Sequence, residues 1–358
     1  MNRTRVAVVG CGHLGSIHAR LLRSIEEVEL VGVVDPVQAA RERVAAECGT
    51  KALADVSSLI GSLDAAVIAT PTAFHHEVAE QLLNAGTHLL IEKPITNTVA
   101  EANRLIALAR RHERVLQVGH VERFNPAWNA VLPHLHHPQY IEAVRAGTYT
   151  FRSTDVSIVL DLMIHDLDLV LSLANSAVVD VEAMGMSLFG PQEDLAMARI
   201  RFANGCVANL KASRVNYEPL RTMQVYSCEA FASLDFAKGE ARLIRPSQAV
   251  LQGEVDLTQC PVEQRPGIQE SMFRDLLCME TVHVEKCNAI LQEQREFVAA
   301  IRDGSAVRVT GEQGRDALSV AEQIVTRIRS HRWNAPIPQL VGSDVLRKPL
   351  REQTRKAA

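Results

Sequence analysis

Through the first third of the chain, short and nearly unbroken apolar runs alternate with amphipathic stretches. RVAVVG, VELVGVVD, AAVIAT, HLLIEKP and VLQVGH read as strands. The stretches between them, from about Gly12 to Ile25, Val37 to Cys48, Phe74 to Ala85 and Val99 to His112, read as helices. Strands without polar alternation belong to a parallel sheet with helices on both faces, so this region is a doubly wound α/β domain ending near residue 122. Beyond it come longer extended pieces, YIEAVRAGTYTF, AMARIRFANGCVANLKASRV and RTMQVYSCEAFASLDF, with Asn204-Gly205 as the turn expected to close a hairpin. Two helices complete the pattern, Leu291 to Arg302, stopped by Gly304, and Gln313 to Arg329, with apolar residues at helical spacing.

A chain of 358 residues is longer than one hydrophobic core usually serves, which agrees with two domains. The formal net charge of -4 mixes both signs and offers no broad attraction for nucleic acid or anionic lipid. MNRTRVAVVGCG runs into strand-like sequence without the apolar region of a signal peptide, and no apolar run reaches the length of a membrane span. The seven cysteines are odd in number and scattered, without a CxxC pair. They are expected to be reduced thiols in a cytoplasmic protein rather than a disulfide framework or a zinc site.

VAVVGCGHLGSIH places Gly10, Gly12 and Gly15 in a GxGxxG pattern after a strand and at the start of a helix, with His13 and Leu14 in the same loop. The first glycine allows the tight turn, the second the approach of a pyrophosphate, and the third close packing of helix on strand. The second strand ends in Asp35, 20 residues beyond Gly15, where an acid accepts the ribose hydroxyls of the adenosine half. Together these define a Rossmann dinucleotide-binding domain over 1–122. A carboxylate at Asp35 would repel the extra phosphate of NADP, so NAD is the expected cofactor, with Arg41 the cation that could swing back.

Thr70 and Pro71 lie at the carboxyl end of the run AAVIAT, on the sheet edge where ligands bind, and are expected to border the nicotinamide ribose. His75 reads either as a cofactor contact or as a solvent-facing residue of a first helical turn, and the same holds for His76. The histidines at 134, 136 and 137 lack carboxylate or thiolate partners at useful spacing, so a solvated loop is expected and no metal. In IEKPIT, Glu92 and Lys93 end the next strand, and Pro94 biases Lys93 to extended backbone at the edge of the crevice.

The run VLDLMIHDLDLV, Val159 to Val170, is apolar apart from three aspartates and a histidine. On a helix, Asp161, His165 and Asp168 share one face while Asp166 points away, giving one polar stripe on an otherwise buried element. Such a stripe is either a satisfied core histidine paired to a carboxylate or a functional site.

In that order, GCGHLGSIH, ATPTAFHH, EKPIT and DLMIHDLD resemble the glucose-fructose oxidoreductase / inositol dehydrogenase / rhizopine-catabolism (Gfo/Idh/MocA) family of sugar and cyclitol dehydrogenases, over almost the whole chain. The resemblance implies a second, α+β domain over 123–342 with a large, mostly antiparallel open sheet that serves substrate binding and oligomerisation, followed by a polar basic tail over 343–358. It also implies catalytic roles for Lys93, Asp161 and His165, with Glu92 and Lys93 near the cofactor. VGHVERFNPAW and STDVSIVLDLMIHDLDLVLSL look most like the branch that oxidises nucleotide-linked amino sugars. The implied substrate is UDP-N-acetylglucosamine, oxidised at its 3-hydroxyl ahead of an aminotransferase on a route to lipid A or another surface glycan. A homodimer or homotetramer is implied as well.

A base near neutral pKa suits such an oxidation, and His165 is assigned that role, with Asp161 orienting it and Lys93 stabilising developing alkoxide; His165 and Lys93 could exchange roles. Arg123, Arg152, Lys211 and Arg214 are the candidate diphosphate donors. Two other readings stand beside this one. The substrate could be inositol or a free sugar, or the chain could be a non-catalytic dinucleotide-binding regulator, which would need the glycine loop and Asp35 but not Lys93, Asp161 and His165.

Overall fold

The computed structural model of the protein describes residues 3–151 and 153–333. The first sheet has parallel strands β1 (Thr4–Val9), β2 (Val28–Val34), β3 (Ala52–Leu53), β4 (Ala65–Ile68), β5 (His88–Glu92) and β6 (Leu116–Gly119), of which all but the two-residue β3 come from the five apolar runs. Their spatial order is β3-β2-β1-β4-β5-β6, the Rossmann order. Between them run α1 (His13–Leu22), α2 (Gln38–Cys48), α3 (His75–Asn84) and α4 (Val99–Arg111), each bounded within about a turn of where periodicity puts it. α4 opens with a capping box: the Thr98 hydroxyl accepts the Glu101 amide, and the Glu101 carboxylate accepts that of Thr98. The strand order reverses between β1 and β4, so the loops after Val9, Val34, Ile68 and Glu92 all leave the carboxyl edge of the sheet. Those loops carry Gly10, Asp35, Thr70 and Lys93.

The second sheet contains β7 (Tyr140–Ala146), β8 (Val178–Met186), β9 (Leu195–Phe202), β10 (Val207–Ser213), β11 (Leu220–Tyr226), β12 (Phe231–Asp235), β13 (Glu240–Pro246) and β14 (Leu277–Val282). Its order is β14-β13-β12-β11-β7-β10-β9-β8, with β7 and β10 parallel and every other pair antiparallel. The β9–β10 hairpin turns at Asn204-Gly205, where Gly205 takes φ +88°. Alternation decides the faces. Ala196, Ala198, Ile200 and Phe202 of β9 are buried, whereas Met197, Arg199 and Arg201 are exposed. On the buried face α6 (Ile164–Ala174) packs against β7 and β10, and the short α5 (Pro126–Val131) lies on β12 and β13. Two further short helices, α7 (Gln248–Leu251) and α8 (Arg265–Ser271), precede the edge strand β14.

The chain returns to the first sheet at its end. α9 (Ala289–Asp303), closed by Gly304 at φ +74°, and the first part of α10 (Gly311–Ser330) belong with residues 1–124, so the first unit is 1–124 plus 287–322 and the second is 125–286 plus the remainder. A continuous second domain over 123–342 therefore differs from the observed division, and the reason is packing. Phe297 and Val298 of α9 share a core with Val6, Val8, Leu22 and Val67. The tail 343–358 lies outside the described residues. Among the described residues no helix is long and apolar enough to cross a membrane.

Phe297 is fully buried in that core. Phe297→Ala is expected to lower the unfolding free energy of the first unit by about 3–5 kcal/mol, measured by denaturant unfolding followed by far-UV circular dichroism.

Candidate active site

The glycine loop is built by close approach. Gly10 has φ +100°, and a Cβ there would lie 2.5 Å from the Ala69 carbonyl oxygen. At Gly15 a Cβ would fall 1.8 Å from the Gly10 carbonyl oxygen, so a side chain at either position would break the turn between β1 and α1. Gly12 is different: a Cβ there would meet nothing within 4 Å. Together with the exposed first turn at His13 and Leu14, this leaves open space at the helix N-terminus for a phosphate group.

Asp35 follows β2 directly with both carboxylate oxygens engaged, Oδ2 accepting the Cys11 amide at 2.7 Å and Oδ1 the Val37 amide at 2.8 Å. Arg41 does turn back towards Asp35, but onto the carbonyl oxygens of Asp35 and Pro36 at 3.3 and 3.1 Å. Arg43 donates to the Cys11 carbonyl at 3.3 Å and pairs with Glu47. Burial, followed by the nearby Asp35 charge, pushes the Cys11 thiol up to about 12, so it is protonated and inert at neutral pH.

At the end of β4 the Thr70 hydroxyl oxygen is buried without a hydrogen-bond partner among the described residues. An orphaned hydroxyl at the carboxyl edge, the open space beside Gly12 and the oriented Asp35 carboxylate fit a dinucleotide along this edge. Pro71 is exposed beside Thr70. His75 is neither solvent-facing nor open to a ligand. It is buried, with Nε2 2.9 Å from the Thr70 carbonyl oxygen and Nδ1 2.9 Å from that of Pro94, and so ties the loop after β4 to the loop after β5. Burial lowers its pKa against the pull of those two carbonyls. Lys93 is half-buried, and its peptide bond to Pro94 is cis. The Glu92 carboxylate turns inward, with Oε1 2.8 Å from His18 Nε2 and Oε2 accepting the Lys93 amide at 3.2 Å.

In the second unit, a cavity of about 300 Å³ is lined by Arg145, Tyr149, Ser153, Asp161, Arg214 and Arg221 among others. The element presenting Asp161 is not one uniform α-helix. Val159–Met163 form a π-helical turn, and the α-helix begins at Ile164, so the 100° step does not carry across Met163. Asp161 and His165 are half-buried, whereas Asp168 is buried. Asp166 points away from the stripe, as its position on the helix requires, and forms a buried bidentate pair with Arg145, Oδ2 to Nε at 3.0 Å and Oδ1 to Nη2 at 2.8 Å.

The candidate diphosphate donors separate. Arg214 lines the cavity, but its guanidinium donates to the carbonyls of Ser153 and Val156, each at 2.7 Å, and pairs with Asp194 at 3.7 Å. It fastens the segment leading into Val159. Lys211 lies on the opposite face of the sheet, in a separate hollow with Glu142 and Met197, and does not join Asp161. Arg123 is buried in the first unit, its carbonyl oxygen accepting from Arg308 at 3.0 Å. Arg152 lies outside the described residues. The cation that sequence reasoning missed is Arg221, exposed on β11 and without a side-chain partner among the described residues. A signal for it existed. Arg221 alternates with buried Met223 and Val225, and Arg145 with buried Ile141 and Ala143, so each arginine sits on an inward-facing position of its strand.

Residues 4–120 match the family model described as oxidoreductase family, NAD-binding Rossmann fold, and residues 131–231 match the GFO/IDH/MocA C-terminal domain. The chain belongs to the Gfo/Idh/MocA oxidoreductases. Among its relatives, UDP-N-acetylglucosamine 3-dehydrogenase of Acidithiobacillus ferrooxidans is 36% identical over 329 residues, covering 90% of this chain and 97% of that protein. A solved structure of that enzyme superposes with TM-score 0.80 at 35% identity over 91% of this chain and 98% of its own. The scyllo-inositol 2-dehydrogenase (NAD(+)) of Bacillus subtilis is 26% identical over 60% of this chain and 68% of its own.

Gly15→Ala is expected to abolish dinucleotide binding, read as loss of NADH fluorescence enhancement, while the second unit keeps its far-UV signal, because the added methyl would collide with the Gly10 carbonyl oxygen.

Proposed function

We propose that the protein is an NAD-dependent dehydrogenase that oxidises a hydroxyl of a nucleotide-linked amino sugar to a ketone, the 3-hydroxyl of UDP-N-acetylglucosamine being the group oxidised. The observation that carries this reading is the cavity in which Asp161 shares the wall with Arg221, an exposed cation with no protein partner among the described residues. A sugar diphosphate calls for such a cation, and a free cyclitol does not. The similarity to the Acidithiobacillus enzyme over nearly the full length supports the same substrate.

His165 accepts the hydroxyl proton, since an imidazole titrates near neutrality, and Asp161, before it on the same segment, orients the ring and favours its charged form. Lys93 stabilises the developing alkoxide. The bound nicotinamide supplies the hydride acceptor. The glycine loop aligns the dinucleotide, and Asp35 takes the adenosine ribose through its hydroxyls. NAD is preferred to NADP because the Asp35 carboxylate opposes a 2′-phosphate, while Arg41 and Arg43 are engaged with backbone oxygens and Glu47. Such a 3-keto product is the substrate class of an aminotransferase. Self-association is assigned to the outer face of the second sheet, where Met197, Leu220 and Tyr226 are exposed.

Reduction of NAD, followed at the NADH absorbance, is expected with UDP-N-acetylglucosamine and not with inositol or free hexoses; turnover of inositol alone would replace the nucleotide-sugar reading. Arg221→Ala should raise KM for the nucleotide sugar about tenfold or more with KM for NAD unchanged. His165→Asn is expected to abolish turnover while NAD still binds, and near-normal turnover in that variant would remove His165 from the mechanism.

A further inference from the structure

A polar chain is buried in the first unit, and none of its members has a part in the reaction as proposed. Gln294 on α9 donates from Nε2 to Nδ1 of His18 at 2.8 Å and to the His18 carbonyl oxygen at 3.1 Å. Since Nδ1 accepts from that amide, the ring donates from Nε2 to Glu92 Oε1 at 2.8 Å. The remaining oxygen, Oε2, accepts the backbone N–H of Lys93 at 3.2 Å. His18 and Gln294 are fully buried, and Glu92 nearly so.

The neighbouring strand makes room for this carboxylate. A Cβ on Gly119 of β6 would lie 3.1 Å from both Cα and Cδ of Glu92 and 3.2 Å from Oε2. Segments far apart in sequence, α1, β5, β6 and α9, thus converge on one side chain adjacent to Lys93. Burial alone would raise the Glu92 carboxyl, but the hydrogen bond and the charge of His18, followed by the Lys93 charge, hold it below its ordinary value, so it is an anion at neutral pH. The titratable groups about it are His18, Lys93, His75 and Glu293. Ligand atoms of His18, Glu92 and Glu293 come within 4.8 Å of one another, yet both ring nitrogens of His18 are engaged, which fits a hydrogen-bonded support better than a metal site.

We propose that Gln294, His18 and Glu92 are positioning residues that hold the turn carrying Lys93 and keep a fixed negative charge beside it, so that the closing helix α9 is wired to the catalytic edge of the first sheet. The proposal rests on the catalytic role of Lys93. Its test therefore includes Lys93→Met as a reference, beside Glu92→Gln, Gln294→Leu, His18→Leu and His18→Gln, each in the full chain with UDP-N-acetylglucosamine.

Glu92→Gln changes charge with little change in shape and should lower kcat about tenfold or more, with KM for NAD within about twofold, and shift the kcat–pH profile. Gln294→Leu should give the same split to a smaller degree. His18→Leu should match Glu92→Gln, and His18→Gln, whose amide can donate to Glu92 from nearly the same place, should recover most of the loss. Turnover retained by Lys93→Met would overturn the role of Lys93 and the proposal with it. An inactive Lys93→Met beside Glu92→Gln and Gln294→Leu with native kcat and pH profile would overturn the positioning chain alone. Loss of melting temperature without a separation of kcat from KM, or without recovery in His18→Gln, would show a purely structural role and overturn it as well. If His18→Leu fails to fold, Glu92→Gln and Gln294→Leu decide.

Discussion

A carboxylate taken out of water costs several kcal/mol unless a donor or a cation meets it, and both units of this protein meet that constraint next to the elements proposed to carry their chemistry. In the first unit Glu92, one residue before Lys93, is met by His18. In the second, Asp166, one residue after His165, is met by both nitrogens of the Arg145 fork. Each pairing fixes the backbone of a functional segment against a sheet, because a partner on a different element can be reached in only one orientation of the segment. Removing one member would leave a buried charge without its counterpart, a loss much larger than the net worth of the pair.

The two pairings differ in what they require from the rest of the fold. Arg145 occupies an inward position on β7, so the Asp166 pair needs only α6 lying against that strand. The Glu92 pair needs α1 to deliver His18, α9 to deliver Gln294 to the ring, and a glycine on β6 to leave space. This explains why residues 287–322 belong with the first unit, although they are separated from it in sequence by the whole of the second sheet. α9 completes the apolar core through Phe297 and Val298 and the polar core through Gln294, on successive turns of one helix.

What could be read from the sequence follows from how local each interaction is. The strand and helix pattern of the first unit apart from the two-residue β3, the glycine loop, Asp35 and the Asn204-Gly205 hairpin depend on period and spacing, and all stood in the linear chain. The position of Asp166 off the polar stripe was also legible, because a helix fixes directions within one segment. Its partner was not, since nothing near Asp166 in sequence points to Arg145. Lys211 and Arg221 looked alike as strand cations. Alternation within each strand already separates them, Arg221 being in step with buried Met223 and Val225 and Lys211 out of step with buried Leu210 and Ala212, but it takes the pairing of β7 with β11 to bring Arg221 beside Arg145. The π-helical turn over Val159–Met163 and the inward turn of His75 are set by neighbours that no periodicity announces.

The sites proposed for the cofactor and the substrate are thereby built from different kinds of matter. At the glycine loop the proposed determinants are backbone amides, absent side chains and the carboxylate of Asp35: Gly10 and Gly15 have no room for a Cβ, and two backbone amides hold Asp35 at 2.7 and 2.8 Å. In the second unit the determinants are side chains at the ends of strands, where the alternation of a strand preserves the sheet whatever the inward residue at its edge. A fold built this way can keep one redox partner while its substrate changes through a few cations such as Arg221, provided the segment holding Asp161 and His165 stays anchored. Arg214 and Arg145 supply that anchoring through the Ser153 and Val156 carbonyls and through Asp166. Of the three arginines that line the cavity among the described residues, two are thus committed to holding the segment of Asp161 and His165 in place, and Arg221 is left facing the cavity.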